Sequence, residues 1–398
     1  MMTYRERMLA TLRGKPTDCL PFVPRLDLWY KSNKYRGTLP AKYKNATLMQ
    51  ILEDLDVGYH SVTADRDRYD DTLDNIDRAL GIWRVHHMPH HAKFRDIKRN
   101  ISYEGDATVV EYLTPVGNIR TRVVYDESMR AAGITLSHVA EHAIKSVDDY
   151  EAVAYIFEHA EVYPNYEGMQ RLKEELGDRG LLVGTASMGA SAIHHILHEL
   201  MPYDLFFYEY YDHKAELLRL AERMTPYIDK VLDVAIASPG DIIQSGTNYD
   251  AQITWPPFVA EHIVPALAAT ADKLHAAGKF LLTHTDGENK GLLPYFLEGN
   301  IDIADSITPA PMTSLTLGQV REAFGGKITV WGGIPSVSVL ENSMNDYEFD
   351  SFLSDLFTQI GKGDHLILSI ADTAPPAMKF SRLERIAKMA KEFGPVKP

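Results

Sequence analysis

In the stretch FLLTHTDGENKGLLPYF, Phe280 to Phe296, a short apolar run ends in His284 and Asp286, two residues apart, followed by a glycine and a new helical pattern. Alternate residues of an extended chain point the same way, so an imidazole and a carboxylate aim at one spot and could coordinate a common group. Comparable side chains close the other apolar runs: Arg25 and Asp27; Thr185 and Ser187; Gln244, Asn248 and Asp250; Asp305 and Ser306; Trp331 with Gly332 and Gly333; and Asp372. If those runs are parallel strands, the groups meet at the carboxyl ends, where functional residues of α/β folds collect. The competing explanation is structural. Asp, Asn and Ser at such places often only cap the next helix, and a strand-end histidine can be satisfied by a core neighbour.

The elements that must position these residues are legible as strands near Leu181 to Thr185, Asp241 to Ser245, Phe280 to His284, Ile301 to Ser306, Ile328 to Gly332 and His365 to Ile370. Amphipathic segments such as PPFVAEHIVPALAATADKLHAAG and DYEFDSFLSDLFTQIG lie between them. Almost continuously apolar strands covered by helices predict a parallel sheet. LPFVPRLDLW, Leu20 to Trp29, reads as an early strand, and LMQILEDLDVGY as the helix leading to the next. One segment breaks the rhythm. From Ile82 to Tyr125, Val, Ile, Tyr and Thr alternate with polar residues around the turn signals EGD and PVGN, which predicts an antiparallel hairpin inserted as a lid or interface. With no internal repeat or long linker, residues 1–398 read as a single barrel domain carrying a hairpin at about 82–125.

Composition narrows the function classes. Hydrophobic residues make up 45% and charged residues 24%, which suits a globular chain with a sizeable core. A net charge of -14 and the lack of long basic runs argue against nucleic-acid binding. The single cysteine, Cys19, cannot form an internal disulfide or a thiolate-rich metal site. The start, MMTYRERMLATLRGKP, reads as a charged amphipathic helix rather than a signal peptide, and no apolar run approaches the roughly 20 residues of a membrane span. A cytoplasmic enzyme is expected, with a homodimer as an allowed assembly.

The opening RERMLATLRGKPTDCLPFVPR, followed in order by LLTHTDGENKGLLPYFLEGNIDIADSITP, AFGGKITVWGGIP and GKGDHLILSIADTAPP, resembles the uroporphyrinogen decarboxylase superfamily over nearly the whole chain. That resemblance implies a distorted (β/α)8 barrel of the TIM type with its site at the mouth. The superfamily divides into tetrapyrrole decarboxylases and corrinoid-dependent methyltransferases. The decarboxylases carry a Met-Arg-Gln-Ala-Gly-Arg run after the first strand, where this chain has LDLWYKSNKYRG, so a polycarboxylate substrate loses its charge partners. The methyltransferases that act on coenzyme M hold zinc with His-x-Cys on one strand and a second Cys near the last strand. Here those places read His284-Thr285-Asp286 and, in ILSIADTAPP, Asp372.

By resemblance, then, the metal set is His284, Asp286 and Asp372, with Glu288 able to replace either carboxylate and one coordination position left open. Oxygen ligands leave zinc a stronger Lewis acid than thiolates do, which suits the departure of a poor leaving group such as an ether oxygen. The expected function is zinc-dependent transfer of methyl from an O-methyl donor, a methoxylated aromatic in the first instance, to the cob(I)alamin of a separate small corrinoid protein. His284 and Asp286 are the expected catalytic residues. Gln244, Asn248, Asp250 and Trp331 are expected at the donor, with Tyr249 and Trp255 as further aromatic walls, each weighed against plain core packing. No Asp-x-His-x-x-Gly stretch is present to bind cobalamin, so the cofactor must arrive on the partner. The alternatives are a uroporphyrinogen-type decarboxylase, a methylcobamide:thiol methyltransferase, and a noncatalytic barrel that carries a tetrapyrrole.

Three other signals are discounted. HHMPHH, His86 to His91, falls in the predicted hairpin and lacks the spacing of a helical His pair. His194 and His198 stand one helical turn apart, but no Glu stands between them in the metalloprotease pattern and the helix around them is apolar. AFGGK is too short for a phosphate loop, and no glycine-rich dinucleotide fingerprint follows a strand.

Overall fold

Two kinds of strand fold apart in this chain, those with exposed polar positions and those that are buried almost throughout. The computed structural model describes residues 1–62, 73–85 and 88–397. The first kind comprises β1 (His90–Phe94), β2 (Lys98–Glu104), β3 (Ala107–Thr114), β4 (Gly117–Val124), β5 (His138–Glu141) and β6 (Ala160–Pro164). The second comprises β7 (Val183–Ser187), β8 (Ile242–Thr247), β9 (Phe280–His284), β10 (Ile303–Ile307), β11 (Thr329–Pro335) and β12 (Leu366–Ala371). Strands β7 to β12 form one parallel sheet in sequence order, and helices such as Val264–Ala276 and Asp346–Ile360 connect them. Five of these six strands begin or end within two residues of the positions read from the sequence, and β9 coincides with its expected span.

The sheet is not closed by a hydrogen-bonded ladder. Strands β7 and β12 are its edges, and residues 20–23 and 57–62 make only isolated contacts beside them. Phe22 forms a single bridge with Leu368, whose N–H donates to Pro21 O at 2.9 Å, while Gly58 N–H donates to Phe22 O at 3.0 Å. The expected strand from Leu20 to Trp29 is therefore reduced to that bridge, and a helix starts at Asp27. Pro21 and Pro24 explain the loss, because neither has an N–H to give a ladder. What stands is a mixed α/β fold built on six parallel strands.

The antiparallel part is larger than a hairpin. Strands β2, β3, β4 and β5 form a four-stranded sheet, with the EGD and PVGN sequences at its first two turns. Strand β1 leaves it and pairs with β6 instead. The four-residue β5, HVAE, is too short and polar to show an alternating pattern in the sequence. The inner face of this sheet joins the main core, where Val110, Tyr112 and Ile119 belong to the same buried cluster as Val153, Ile156 and Phe157. A second cluster, including Val23, Val62, Leu282, Ile303, Trp331 and Ile367, fills the inner face of the parallel sheet. Among the described residues no helix is long and apolar enough to cross a membrane.

Candidate metal and substrate site

Strand register brings the first two site residues together. His284 ends β9 opposite Asp305 of β10, and parallel pairing puts both side chains on the same face. His284 Nδ1 lies 2.7 Å from Asp305 Oδ2, and His60 Nε2 lies 3.1 Å from Asp305 Oδ1, so one buried carboxylate receives two imidazoles. Beyond the strand the alternation of HTD continues. Thr285 turns back, donating its N–H and hydroxyl to Asp305 O at 2.7 and 2.8 Å, which leaves Asp286 on the side of His284. Gly287 then takes a φ of +118°, and a Cβ there would lie 2.8 Å from Tyr249 O. Only glycine fits that turn without strain.

Strand β10 contributes through a bulge between Asp305 and Ile307. Ser306 sits at its centre with a φ of +62°, and its hydroxyl donates to Asp372 Oδ1 at 2.9 Å. Bulges beside sites re-aim side chains in this way. Asp372, just past β12, also receives the Arg25 guanidinium, and its Oδ1 lies 3.4 Å from His284 Nε2. Arg25 is anchored in turn by Asp27, 3.1 Å from its Nε. The result is a row, Asp27, Arg25, Asp372, His284, Asp305, His60, in which acids and bases alternate, buried except at the half-buried Asp27 and Asp372.

The charges shift one another. Burial disfavours a charged His284, but the Asp372 and Asp305 carboxylates outweigh it and hold its pKa above the ordinary imidazole value. Burial and then the nearby Asp372 carboxylate push Asp286 up. For Asp372 burial acts upward too, yet Arg25 and His284 bring it below the usual carboxylate range. Asp305, although fully buried, is held far below that range by His60 and His284. Of these three carboxylates Asp286 is thus the one whose pKa ends up raised, because it lacks a cationic partner as close as those of Asp372 and Asp305.

His284, Asp286 and Asp372 each offer a donor atom, all within 4.8 Å of one another. Two ligands of a tetrahedral zinc with bonds of about 2.0–2.1 Å stand roughly 3.3–3.4 Å apart. The separation between His284 Nε2 and Asp372 Oδ1 matches that edge. Nδ1 of His284, engaged by Asp305, leaves Nε2 as the atom that could coordinate a metal, as where an outer carboxylate fixes a ligating histidine. The donor set fits zinc.

These groups border a cleft of about 150 Å³. Gln244, Thr247 and Asn248 supply polar wall, and Val62, Leu136 and Met188 apolar wall. Thr185 donates to Gln244 Oε1 at 3.2 Å, and Asn248, at a φ of +53°, donates its N–H to His284 O at 2.8 Å.

Other expected residues do not reach the cleft. Asp250 spends its carboxylate on the N–H groups of Gln252 and Glu288, at 2.8 and 3.1 Å, as a turn residue does. Trp331, fully buried, faces the interior, donating to Val23 O at 3.2 Å and packing on the His60 ring. Glu288 accepts from Lys290 N and Ser314 N rather than pointing at His284. Tyr249 is core, its hydroxyl 2.7 Å from Thr283 Oγ1, and Trp255 packs on Phe258. Of the histidine cluster, His90 and His91 lie in β1, while His86 and His87 fall outside the described residues. His194 is fully buried and His198 partly so, with ring centroids 4.7 Å apart and the planes tilted by 59°.

Sequence reasoning missed His60, Leu136 and Met188. His60 lies in a segment without a strand pattern, and Leu136 comes from the antiparallel insert. For Met188 the signal was present, one residue past the GTAS strand end.

No protein-family model matches the chain, and no curated protein sequence does. Among solved structures, the fold is similar to that of a methyltransferase from Methanosarcina mazei. The likeness has a TM-score of 0.54 at 12% identity and covers 99% of each chain. An endoglucanase from an uncultured bacterium matches over 57% of this chain and 76% of its own, with 13% identity and a TM-score of 0.33. At these identities the first likeness speaks for the fold, and the second is too weak to speak for anything.

Proposed function

We propose that this chain is a methyltransferase that binds zinc through His284, Asp286 and Asp372 and moves methyl from a methoxylated aromatic to the cob(I)alamin of a separate corrinoid protein. Its framework would be the distorted (β/α)8 barrel of the uroporphyrinogen decarboxylase type, with residues 20–23 and 57–62 as the two irregular staves. The observation that carries the reading is the 3.4 Å edge between His284 Nε2 and Asp372 Oδ1, with Nδ1 held from behind by Asp305. Likeness to a methyltransferase along the whole chain supports methyl transfer as the general reaction.

Zinc bound there would supply Lewis acidity to the donor oxygen as the methyl group leaves. The chain's own residues supply position. Asp305 fixes the imidazole plane of His284, and Ser306 and Arg25 fix Asp372. Val62, Leu136 and Met188 offer a ring-sized apolar wall, and Gln244 and Asn248 offer polar groups to the substituents of the ring. Such orientation is a large share of what an enzyme gives a transfer reaction. Size also discriminates. A cavity of about 150 Å³ holds a benzene-sized ligand. A tetrapyrrole is several times larger, and among the described residues Arg25 is the only arginine or lysine lining the cleft. Both points favour a single-ring donor over the decarboxylase reading.

The test is metal content by mass spectrometry on wild type and His284→Ala, prepared without chelators. About one zinc per chain, lost in the variant, is expected, followed by demethylation of methoxylated aromatics when a reduced corrinoid protein is added. Wild-type protein that takes up no zinc when offered it would sink the proposal.

A further inference from the structure

Arg25 is an unusual neighbour for a cation site. It is buried, it borders the cleft, and it bonds Oδ1 of Asp372, the atom that stands from His284 Nε2 at the spacing of two ligands on one zinc. Ser306 bonds the same oxygen at 2.9 Å. Oδ1 is thus already engaged by two donors. Around this point, among the described residues, stand the carboxylates of Asp27, Asp286, Asp305 and Asp372, with Arg25 as a fixed positive charge among them. Asp27 fastens Arg25 from the far side through Nε, and Asp27 Oδ2 is buried without a hydrogen-bond partner. Thr373 Oγ1, at 3.4 Å from Oδ1, is a weak second contact. A carboxylate with so little other hydrogen bonding is committed to holding the guanidinium.

We propose that Arg25 is a positioning residue that sets the charge of the zinc site, withdrawing electron density from Asp372 so that the metal is held less tightly and stays more electrophilic. The inference rests on the zinc reading above. Its physical basis is that a fixed cation in a poorly solvated site repels a second cation and polarises the carboxylate they share. A site made of His284, Asp286 and Asp372 without Arg25 would bind zinc more strongly, but two unopposed carboxylates would neutralise the ion and blunt its pull on an ether oxygen. Asp27 has the opposite effect, since it compensates part of the guanidinium charge.

Zinc affinity, measured by competition with a chromophoric chelator, separates these effects without reference to turnover. Arg25→Gln keeps a hydrogen-bond donor and removes the charge, and should bind zinc about tenfold tighter, because it lifts the repulsion between the guanidinium and the incoming cation. Arg25→Lys restores the charge and should return the affinity toward wild type. Asp27→Asn leaves the guanidinium less compensated and should bind zinc more weakly, so the two neutralising changes shift affinity in opposite directions. That opposition is not what a merely structural role would give, because loosening the site from either side would weaken binding. If Arg25→Gln does not fold, the sign of the Asp27→Asn shift decides. Wild type that binds zinc while Arg25→Gln binds it equally or more weakly, or an Asp27→Asn variant that binds it more tightly, overturns the inference and leaves the zinc reading standing. Wild type that binds no zinc overturns both.

Discussion

At the scale of single residues, the site depends on side chains that would not themselves touch a metal. Asp305 accepts from His284 at 2.7 Å and from His60 at 3.1 Å, so replacing it removes what selects the His284 tautomer and plane. Asp305→Asn should lower zinc affinity by about 10- to 100-fold while the fold persists, as chelator competition and circular dichroism can show together. Under the proposed function Leu136 would bear on the donor instead. Leu136→Trp adds a bulky ring to a cleft of about 150 Å³. Zinc content should be unchanged in that variant, and turnover of methoxylated aromatics should fall more than tenfold, the scale of misplacement effects in transfer reactions. Loss of zinc there would place Leu136 in the support of the metal rather than in the substrate wall.

At the scale of elements, what matters is how each strand ends. Gly287 turns the chain at the end of HTDG with a φ of +118° against the Tyr249 carbonyl. Gly287→Ala should destabilise the protein by about 1–3 kcal/mol, visible as a lower midpoint in urea unfolding, because the alanine is strained and must also displace backbone. An unchanged midpoint would mean that the turn rearranges freely. The same strand ends explain what could be read in advance. Strands β8 to β12 are apolar runs with terminal polar groups, so their places, and the meeting of His284, Asp286 and Asp372, follow from periodicity together with the family resemblance. His60 escaped because residues 57–62 make isolated bonds instead of a ladder, and such a segment carries no pattern. Trp331 misled because strand register, invisible in one sequence, decides that it faces His60 instead of the cleft. Asp250 misled because the same carboxylate chemistry serves a turn and a ligand equally well.

At the scale of the whole molecule, acid should act through buried imidazoles. Burial pushes His90 down from 6.5 to about 4, and His194 falls well below 6.5 for the same reason. On acidification the unfolded chain binds these protons first. The stability that comes from keeping His90 neutral is therefore complete above about pH 6.5, declines as pH falls toward 4 and is gone below, amounting to roughly 3 kcal/mol. His90→Phe should flatten the stability curve over that window in denaturant titrations at a series of pH values. An unaltered slope would mean that His90 is reached by solvent. On the proposed mechanism, activity would require a corrinoid protein as well. Purified protein alone should release no methyl from any donor, and demethylation without added corrinoid would refute the proposed mechanism.

The antiparallel sheet bears on how such a protein can change over time. Tyr112 of β3 donates its hydroxyl to Ile76 O at 2.9 Å and lies 3.0 Å from Asp77 Oδ1, and Arg84 and Arg99 converge on the same aspartate. With Val110 and Ile119 in the main core, the insert carries part of the weight of the fold and cannot be clipped off as an ornament. It also supplies Leu136 to the cleft. New substrate preferences should therefore arise by point changes in the loop that bears Leu136, and seldom by exchanging the whole insert between related chains, since a transplanted insert would have to bring its share of the core with it.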